Sequence, residues 1–399
     1  MSRPTAAATP LAAKPFSLLP LMAAYVACTM AMMTFVSLIG PIARVLHLET
    51  WHAGVAVTLS GVVWMFLARP WGRACDRFGR RRILLLGTAG FTLAYWALCL
   101  FIDLSLQTLP SVTLAFVGLL LGRGLIGAFY AAIPVGGSAL IADHVEPQHR
   151  ARAMATLGAA NAVGLVVGPA LAALLARYSL SLPFYAMALL PLLALLVLRH
   201  KLPREELHLN HSPSRVALDD PRLLRPMVVA FVAMLCVSLA QITVSFFALD
   251  RLQLNGADAA QAAGVALAMV GVALIAAQLV VRHLEWPPLR MIRYGALLSA
   301  LGFAIAALAD STWSLWLGYF VSAVGMGGVF PSFSALAANA VNASEQGATA
   351  GSLGAAQALG VVVGPLASTL IYAVEPRLPY VLAALLLVLV GLWPKPRAL

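Results

Sequence analysis

One short charged stretch decides the fold of this chain: Gly72-Arg73-Ala74-Cys75-Asp76-Arg77-Phe78-Gly79-Arg80-Arg81-Arg82. It lies between apolar runs that end near Trp71 and begin at Ile83, so both runs must turn back on the same side of a membrane. Five of its residues are arginine, and the insertion bias for Lys and Arg holds such a block on the cytoplasmic face. We therefore predict a cytoplasmic hairpin between two membrane helices. Gly72 is expected to let neighbouring helices approach closely, and Gly79 to take a left-handed turn.

Composition places the whole chain in the membrane. Of its 399 residues, 61% are hydrophobic and only 10% are charged, which is too little polar surface to cover a soluble globule. The formal net charge is +11, but the basic residues sit in short connections rather than on one face, so we expect no nucleic-acid partner. The four cysteines have no metal-ligand spacing, and we expect no disulfide, no metal and no cofactor.

Twelve stretches of the sequence can each supply the roughly 20 apolar residues that a helix needs to cross a bilayer core. They cover residues 17–42, 52–72, 83–102, 111–141, 153–176, 181–199, 225–249, 259–281, 291–310, 313–338, 347–372 and 379–394. The first stretch is too long for the core of a cleaved signal peptide, so we expect it to remain as a span. The prediction is an all-α integral membrane protein with twelve transmembrane helices.

The Lys and Arg residues assign the orientation. With both termini cytoplasmic, 21 of them fall on the cytoplasmic side, four fall outside and one lies within a helix. The positive-inside bias therefore predicts that both termini are cytoplasmic. We expect a multi-pass protein of a bacterial-type inner, or plasma, membrane.

A polar interruption at residues 200–222 divides the chain into residues 1–199 and 223–399, each with six spans. The two parts share a repeat, because residues 157–169 match residues 353–365 at ten of thirteen positions without gaps. Each copy falls on the fifth span of its part with the same orientation. We therefore predict two six-helix halves, joined by a cytoplasmic linker and related by an axis along the membrane normal.

The charged hairpin also fits the pattern G-x-x-x-D-R-x-G-R-R, which closely resembles the signature loop of the major facilitator superfamily. The matching residues are Gly72, Asp76, Arg77, Gly79, Arg80 and Arg81. The resemblance implies a transporter fold over essentially the whole chain and a cytoplasmic gate formed by these residues with Asp143. It implies that Arg80 pairs with Asp143, and that Asp76 lies beneath the start of helix eleven near Gly347, where free N–H groups favour an anion. Arg73 and Arg82 are expected to be topology anchors only.

A second resemblance concerns the fifth span. Gly164, Gly168 and Pro169 resemble the helix-five motif of the drug:proton antiporter branch, which implies export. The family's glycine pair after the proline is replaced here by Ala172 and Ala173. Small residues four apart also favour close helix packing by themselves, and the motif recurs in the second half, so ordinary packing is the alternative.

Arg123 is the one clear charge deep in a predicted span. Such a residue costs about 2.5–3.5 kcal/mol on insertion scales and usually faces a water-filled cavity. It resembles the family's fourth-helix motif, although a common glutamine is Ile126 here, and the resemblance implies a role in proton coupling. Since a guanidinium keeps its proton at physiological pH, we expect Arg123 to fix an anion, either a substrate carboxylate or a helix-end acid. The alternative is an arginine that snorkels to the outer interface.

No acidic proton carrier is evident, because all fifteen Asp and Glu residues fall in loops or near helix ends. Asp250, Asp310, Asp143 and His144 are fallback candidates, each also explained as a solvated helix end. The substrate cavity is therefore expected to be mostly apolar, with a few neutral polar groups. The candidates are Thr29, Thr34, Tyr130, Asn161, Gln241, Ser245, Gln278 and Gln357. Any of them could instead bond a backbone carbonyl.

These features predict a secondary active transporter that exports a small organic molecule, such as a drug, metabolite or siderophore, in exchange for protons. Its expected partners are that substrate, protons and the lipid bilayer, and it is expected to act as a monomer. One alternative is a proton-coupled importer of a small solute. A more distant alternative is an intramembrane enzyme, but the sequence has no H-E-x-x-H, no G-x-S-x-G and no phosphate-cradling glycine loop, so we predict no enzyme.

Overall fold

The computed structural model describes residues 17–202, 220–281, 283–284, 286–342 and 345–394. Every regular element within these ranges is a helix, which confirms the predicted all-α class. The helices are α1 (Leu19–Val45), α2 (Thr50–Phe78), α3 (Arg80–Thr108), α4 (Val112–Tyr130), α5 (Ala132–His144), α6 (Pro147–Leu175), α7 (Leu182–Lys201), α8 (Leu224–Asp250), α9 (Gly256–Val281), α10 (Pro288–Ala307), α11 (Thr312–Asn339), α12 (Gln346–Val374) and α13 (Leu378–Leu392).

The helices have the length and surface of membrane spans. Eleven segments of the described chain are long and apolar enough to cross a bilayer, when α4 and α5 are counted as one segment of 33 residues. The predicted twelfth span corresponds to α13, which has only 15 residues and extends for about 22 Å. Large apolar side chains such as Leu93 (72%) and Trp313 (76%) are exposed, as expected where lipid is the solvent. The predicted architecture therefore agrees with the structure, with a short last helix.

The predicted hairpin between the second and third spans is tighter than expected. α2 continues to Phe78 and α3 begins at Arg80, so Gly79 alone makes the turn. The expected helix ends near residues 72 and 83 are wrong, because both helices extend beyond their apolar runs into the charged stretch between them. Arg77 in the last turn of α2 supports this extension, since a cation there complements the helix dipole.

The two glycines of the hairpin differ in what they permit. Gly79 has a φ of 90°, a value that residues with a Cβ resist, so the expected turn of positive φ is present. A Cβ at Gly72 would lie 3.7 Å from the Val135 side chain, which is an ordinary contact. The expectation that Gly72 permits an unusually close helix approach is therefore wrong for this conformation.

The fourth span is broken inside the bundle. α4 starts after Ser111, whose hydroxyl accepts a hydrogen bond from the Leu114 N–H at 3.4 Å, and ends at Tyr130. α5 resumes at Ala132. Pro134 explains the break, since it has no N–H to donate to the Tyr130 carbonyl and its ring crowds that carbonyl. The break leaves Tyr130 at the end of a half-helix.

The same close packing of the fifth span against the first occurs in both halves. A Cβ at Gly168 of α6 would lie 2.9 Å from the Met30 backbone of α1. A Cβ at Gly360 of α12 would lie 2.6 Å from the Phe231 carbonyl oxygen of α8. Both distances are too short for a side chain, so the repeated small residues bring the fifth and first spans of each half into backbone contact.

The predicted linker, residues 200–222, lies mostly outside the described residues. α7 continues to Lys201, and α8 begins at Leu224. The division of the chain into residues 1–199 and 223–399 stays a prediction, and the terms first half and second half denote only the helices α1–α7 and α8–α13.

Candidate transport site and its two ends

The bundle has two ends that carry different groups. The loop end carries the α2–α3 turn at Gly79, and the far end is where α1 and α8 finish. At the far end Arg44 of α1 forms an ion pair with Asp250 of α8. The other carboxylate oxygen of Asp250 accepts a hydrogen bond from the Tyr372 hydroxyl of α12 at 2.9 Å. Asp250 therefore joins three helices, one of them from the first half.

Backbone contact also closes the far end. α2 meets α12 where a Cβ at Gly54 would overlap Thr369 and lie 2.7 Å from the Pro365 carbonyl oxygen. α6 meets α9 where a Cβ at Gly264 would lie 2.7 Å from the Pro169 carbonyl oxygen. Each contact joins a helix of the first half to a helix of the second, so the two halves touch directly at this end.

A hydroxyl group from α2 is inserted into α12 close to this contact. The Thr58 hydroxyl donates to the Val362 carbonyl at 3.1 Å and accepts from the Leu366 N–H at 3.1 Å. Those two backbone groups are four residues apart, so Thr58 bridges one turn of the partner helix. The contact between the halves is thus hydrogen-bonded as well as close.

The space around the glycines shows that the loop end is open. A Cβ at Gly158 of α6, or at Gly351 or Gly354 of α12, would meet no atom of the described residues within 4 Å. These glycines lie toward the loop end of helices whose opposite ends are in contact. The molecule is therefore closed at the far end and open at the loop end.

The signature residues lie at the open end. Arg80 Nε lies 2.7 Å from Asp143 Oδ2, so the ion pair implied by the resemblance is present. Arg80 Nη2 lies 3.5 Å from Asp76 Oδ1, and the Asp76 side chain is 68% exposed. Arg80 binds α5 of its own half. The position expected for Asp76, beneath the start of the eleventh predicted span (α12 in the structure), stays a prediction.

The other signature arginines have partners close by. Arg81 Nη2 donates to the Arg199 carbonyl of α7 at 2.8 Å. The Arg77 guanidinium lies 5.2 Å from the centroid of the Phe78 ring. The hairpin is thus tied to α5 and α7, which are both in the first half.

Three predicted cavity residues come together beside the break in the fourth span; we call them the polar cluster. The Thr29 hydroxyl of α1 donates to Asn161 Oδ1 of α6 at 2.6 Å and lies 3.5 Å from the Tyr130 hydroxyl of α4. Gly164 lets α6 approach, since a Cβ there would lie 2.7 Å from the Thr29 Cβ. The Asn161 side chain is half-buried, and its amide nitrogen is a hydrogen-bond donor. The cluster can therefore bind a polar group of a ligand.

The other five cavity candidates lie in different surroundings. The Thr34 hydroxyl donates to the Met30 carbonyl of its own helix at 3.0 Å, the alternative expected for such a residue. Ser245 is fully buried against Gly40, at the contact between α8 and α1. The three glutamines are exposed or half-buried and lie outside the cluster, namely Gln241, Gln278 and Gln357.

Arg123 lies near the middle of its span. It is 11 residues, or about 16 Å, from the start of α4, in a bilayer core of about 30 Å. Its side chain is 1% exposed, and its guanidinium lies 4.7 Å from the centroid of the Phe35 ring of α1. The snorkelling alternative is therefore wrong. Nε and Nη1 have no hydrogen-bond partner in the described part of the chain, so no helix-end acid there binds them.

The cluster of Arg44, Asp250 and Tyr372 is not found by sequence reasoning, which marks Asp250 only as a fallback acid. A signal was available, because α1 and α8 are both 27 residues long and carry opposite charges at their ends, Arg44 next to last and Asp250 last. Whether those ends meet depends on how the two halves pack, which no local pattern encodes.

A second cluster that the sequence does not reveal lies at the loop end of the second half. Arg222 Nη2 lies 2.7 Å from Asp220 Oδ2 and 3.1 Å from Glu345 Oε1. Hydrogen bonds from Arg222 lower the pKa of both carboxyl groups below their ordinary values. The cluster ties the segment before α8 to the start of α12.

Fold and site together define a membrane transporter with a polar cluster between one closed and one open end. The sequence matches the family model of the Major Facilitator Superfamily over residues 21–365 and 294–397. The chain belongs to this superfamily, as its signature hairpin implies.

Similar proteins include two that are named for drug resistance. Tetracycline resistance protein, class C, of Escherichia coli is 30% identical over 335 residues, which cover 81% of this chain and 80% of that protein. Multidrug resistance protein 1 of Bacillus subtilis (strain 168) is 25% identical over 352 residues, which cover 86% of each. A solved bacterial homologue of the human lysosomal transporter Spinster, inward-facing and unoccupied, has a TM-score of 0.74 at 14% identity over 94% of both chains. This last likeness shows the fold alone.

Proposed function

We propose that this chain exports a small organic molecule from the cytoplasm in exchange for protons. The observation that carries the proposal is the position of the polar cluster, Thr29, Tyr130 and Asn161, in a bundle that is closed at one end and open at the other. Alternating access requires an internal site that opens to one side at a time. The names of the relatives, tetracycline and multidrug resistance, support export rather than uptake.

The orientation follows from the arginine block of the hairpin. The positive-inside bias puts the loop end, and with it both termini, on the cytoplasmic side of a bacterial-type inner membrane. The conformation is then inward-open, the state in which an exporter receives its substrate. Both halves come from one chain, which favours a monomer as the working unit.

The predicted site residues take four roles in this proposal. The polar cluster binds substrate, and the hairpin with Asp143 closes the loop end in the opposite conformation. Gly164, Gly168 and Pro169 pack α6 against its neighbours. Arg123 fixes an anion, and the charge held in this way is what the membrane potential and the proton gradient act on.

Drug accumulation in cells tests the direction and the coupling. Cells that express the chain should accumulate less of at least one compound, in a panel that includes tetracycline, than cells with an empty vector. A protonophore should remove the difference. Higher accumulation would show uptake and overturn the export proposal, and efflux that survives the protonophore would overturn proton coupling.

Asn161→Leu tests the polar cluster with the best-exported compound of the panel. The loss of a hydrogen bond of about 1–1.5 kcal/mol should raise KM about tenfold. Gln278→Leu, at an exposed position outside the cluster, is the control and should transport like the wild type. An unchanged KM in Asn161→Leu would remove the cluster from the substrate site.

A further inference from the structure

The buried charge inside the described spans is positive. Arg123, 1% exposed, is the one Arg, Lys, Asp or Glu side chain among the described residues that is fully buried. The described carboxylates all lie in connections or within about two turns of a helix end. No ion pair joins any of them to Arg123. The interior of the described bundle therefore carries a positive charge that no carboxylate balances.

The unpaired nitrogen atoms of Arg123 are hydrogen-bond donors. Nε and Nη1 of Arg123 are buried without a hydrogen-bond partner among the described residues, as is the Tyr95 hydroxyl of α3. Guanidinium N–H groups donate and do not accept, whereas a hydroxyl can do either. The Phe35 ring faces the guanidinium charge but is no conventional acceptor for its N–H groups. A ligand with acceptor atoms could satisfy the guanidinium donors, whereas an ammonium group could not.

The Arg123 charge and the polar cluster lie on the same side of α4, the side that faces α1. Arg123 and Tyr130 are seven residues apart on α4, which places them on one face and about 10 Å apart along the axis. Both contact α1, through Phe35 and Thr29 respectively. A ligand at the polar cluster would therefore feel the field of Arg123 even without touching it.

We propose that the substrate is an anion, or a neutral molecule rich in hydrogen-bond acceptors, and that lipophilic cations are disfavoured. The inference rests on the proposed transport function and names the substrate class of the same site. A unit charge 10 Å away changes the affinity of a monovalent ion about twofold in water and about 17-fold at an effective dielectric constant of 20. Attraction of the anion and repulsion of the cation together give a preference between about fourfold and 300-fold.

Two probes of nearly equal shape and opposite charge test the proposal, tetraphenylborate and tetraphenylphosphonium. Their dissociation constants are measured on the full chain in nanodiscs of zwitterionic lipid, without any gradient, with binding to empty nanodiscs subtracted. The wild type should bind tetraphenylborate at least about fourfold more tightly. Equal affinity, tighter binding of the cation, or no binding of either probe would overturn the proposal.

Variants then ask whether Arg123 is the source of the preference. Arg123→Gln should abolish it, and Arg123→Lys, which keeps the charge, should retain it. Arg377→Gln, the same change at an exposed far-end arginine, should leave it unaltered. If Arg123→Gln does not fold, the wild type and Arg123→Lys decide, because loss of the preference in the lysine variant contradicts a charge effect.

Binding and export separate this inference from the proposed function. A preference for tetraphenylborate in a chain that exports nothing would overturn the export proposal and leave the charge preference standing. Efflux of tetraphenylphosphonium as fast as that of neutral compounds would overturn the charge preference and leave export standing.

Discussion

An Arg–Asp pair lies at each end of the bundle, and the two pairs join different parts of the chain. Arg80 and Asp143, at the loop end, both belong to the first half. Arg44 and Asp250, at the far end, belong to different halves. When the halves move relative to each other, a pair inside one half can persist, whereas a pair between the halves must break. The pair that resembles the family signature is therefore not the one that holds an end shut in this conformation.

Burial separates the two pairs further. The side chains of Arg80 and Asp143 are 12% and 16% exposed, whereas those of Arg44 and Asp250 are 50% and 26% exposed. An exposed ion pair contributes about 0.2–1 kcal/mol. The helix contact at Gly54, in comparison, leaves no space even for a Cβ. The far end is thus closed mainly by backbone packing. The ion pair makes a smaller contribution to the equilibrium between closed and open far ends.

The largest expected effect comes from filling the far-end contact. Gly54→Leu should push α2 away from α12, because a Cβ there already overlaps Thr369. Such overpacking costs about 1–3 kcal/mol, which lowers the ratio of closed to open far ends roughly 5- to 150-fold. Spin-label distances between Tyr178 and Ser311, exposed far-end positions on the two halves, measure this ratio. The four native cysteines are buried and should not take the label.

Gly354→Leu is the matched control at the open end. A side chain at this position meets no described atom within 4 Å, so the far-end distances should remain those of the wild type. If the far end stays closed in Gly54→Leu, or if Gly54→Leu and Gly354→Leu open it equally, then backbone packing is not what closes the far end.

A smaller effect is expected from the ion pair between the halves. Asp250→Asn should shift the same distance distribution toward the open far end by up to about fivefold, because it removes the charge that pairs with Arg44. Combining Arg44→Asp with Asp250→Arg should restore part of the closed population. Asp258→Asn, a change of the same kind at a carboxylate that accepts a hydrogen bond from its neighbour Asn255, should have no effect. A reversed pair that restores nothing would show that the charges do not act on each other.

Asp76→Asn tests the loop end in the conformation that is not observed here. Asp76 is largely exposed in the open conformation, so the variant should insert and fold normally. Closure of the loop end should weaken by about 0.3–1 kcal/mol, the value of an anion at a helix N-terminus, and transport should fall roughly two- to fivefold. Labels on the α2–α3 hairpin and the α11–α12 connection report the closure. Normal transport with an unchanged distance distribution would show that Asp76 has no gating role.

The smallest expected effect concerns the loop-end cluster around Arg222. The lowered pKa values of Asp220 and Glu345 mean that the contact stabilises the fold above the ordinary carboxyl pKa of about 4, and that this contribution is lost as the pH falls through the lowered values. Arg222→Gln should therefore melt slightly below the wild type near neutral pH. The two melting temperatures should converge only as the pH falls below both lowered pKa values. A difference that grows with acidification would contradict the sign of this linkage.

The sequence alone determined the membrane class, the order of the spans, the turn at Gly79 and the depth of Arg123. It also determined the superfamily, through the hairpin signature. These features are local: whether a segment enters the bilayer depends on its own apolar residues, and the side on which a connection remains depends on its own charges. A buried arginine stands out for the same reason.

Only the tertiary structure decided which residues meet. Eight neutral polar residues are equivalent candidates in the sequence, but three of them, Thr29, Tyr130 and Asn161, form the cluster. The structure alone brings Arg44 to Asp250 and shows which end is closed. These facts depend on the rotation of each helix about its axis and on the relative position of the halves. Many weak contacts between segments distant in the chain set both quantities, and no single stretch of sequence contains them.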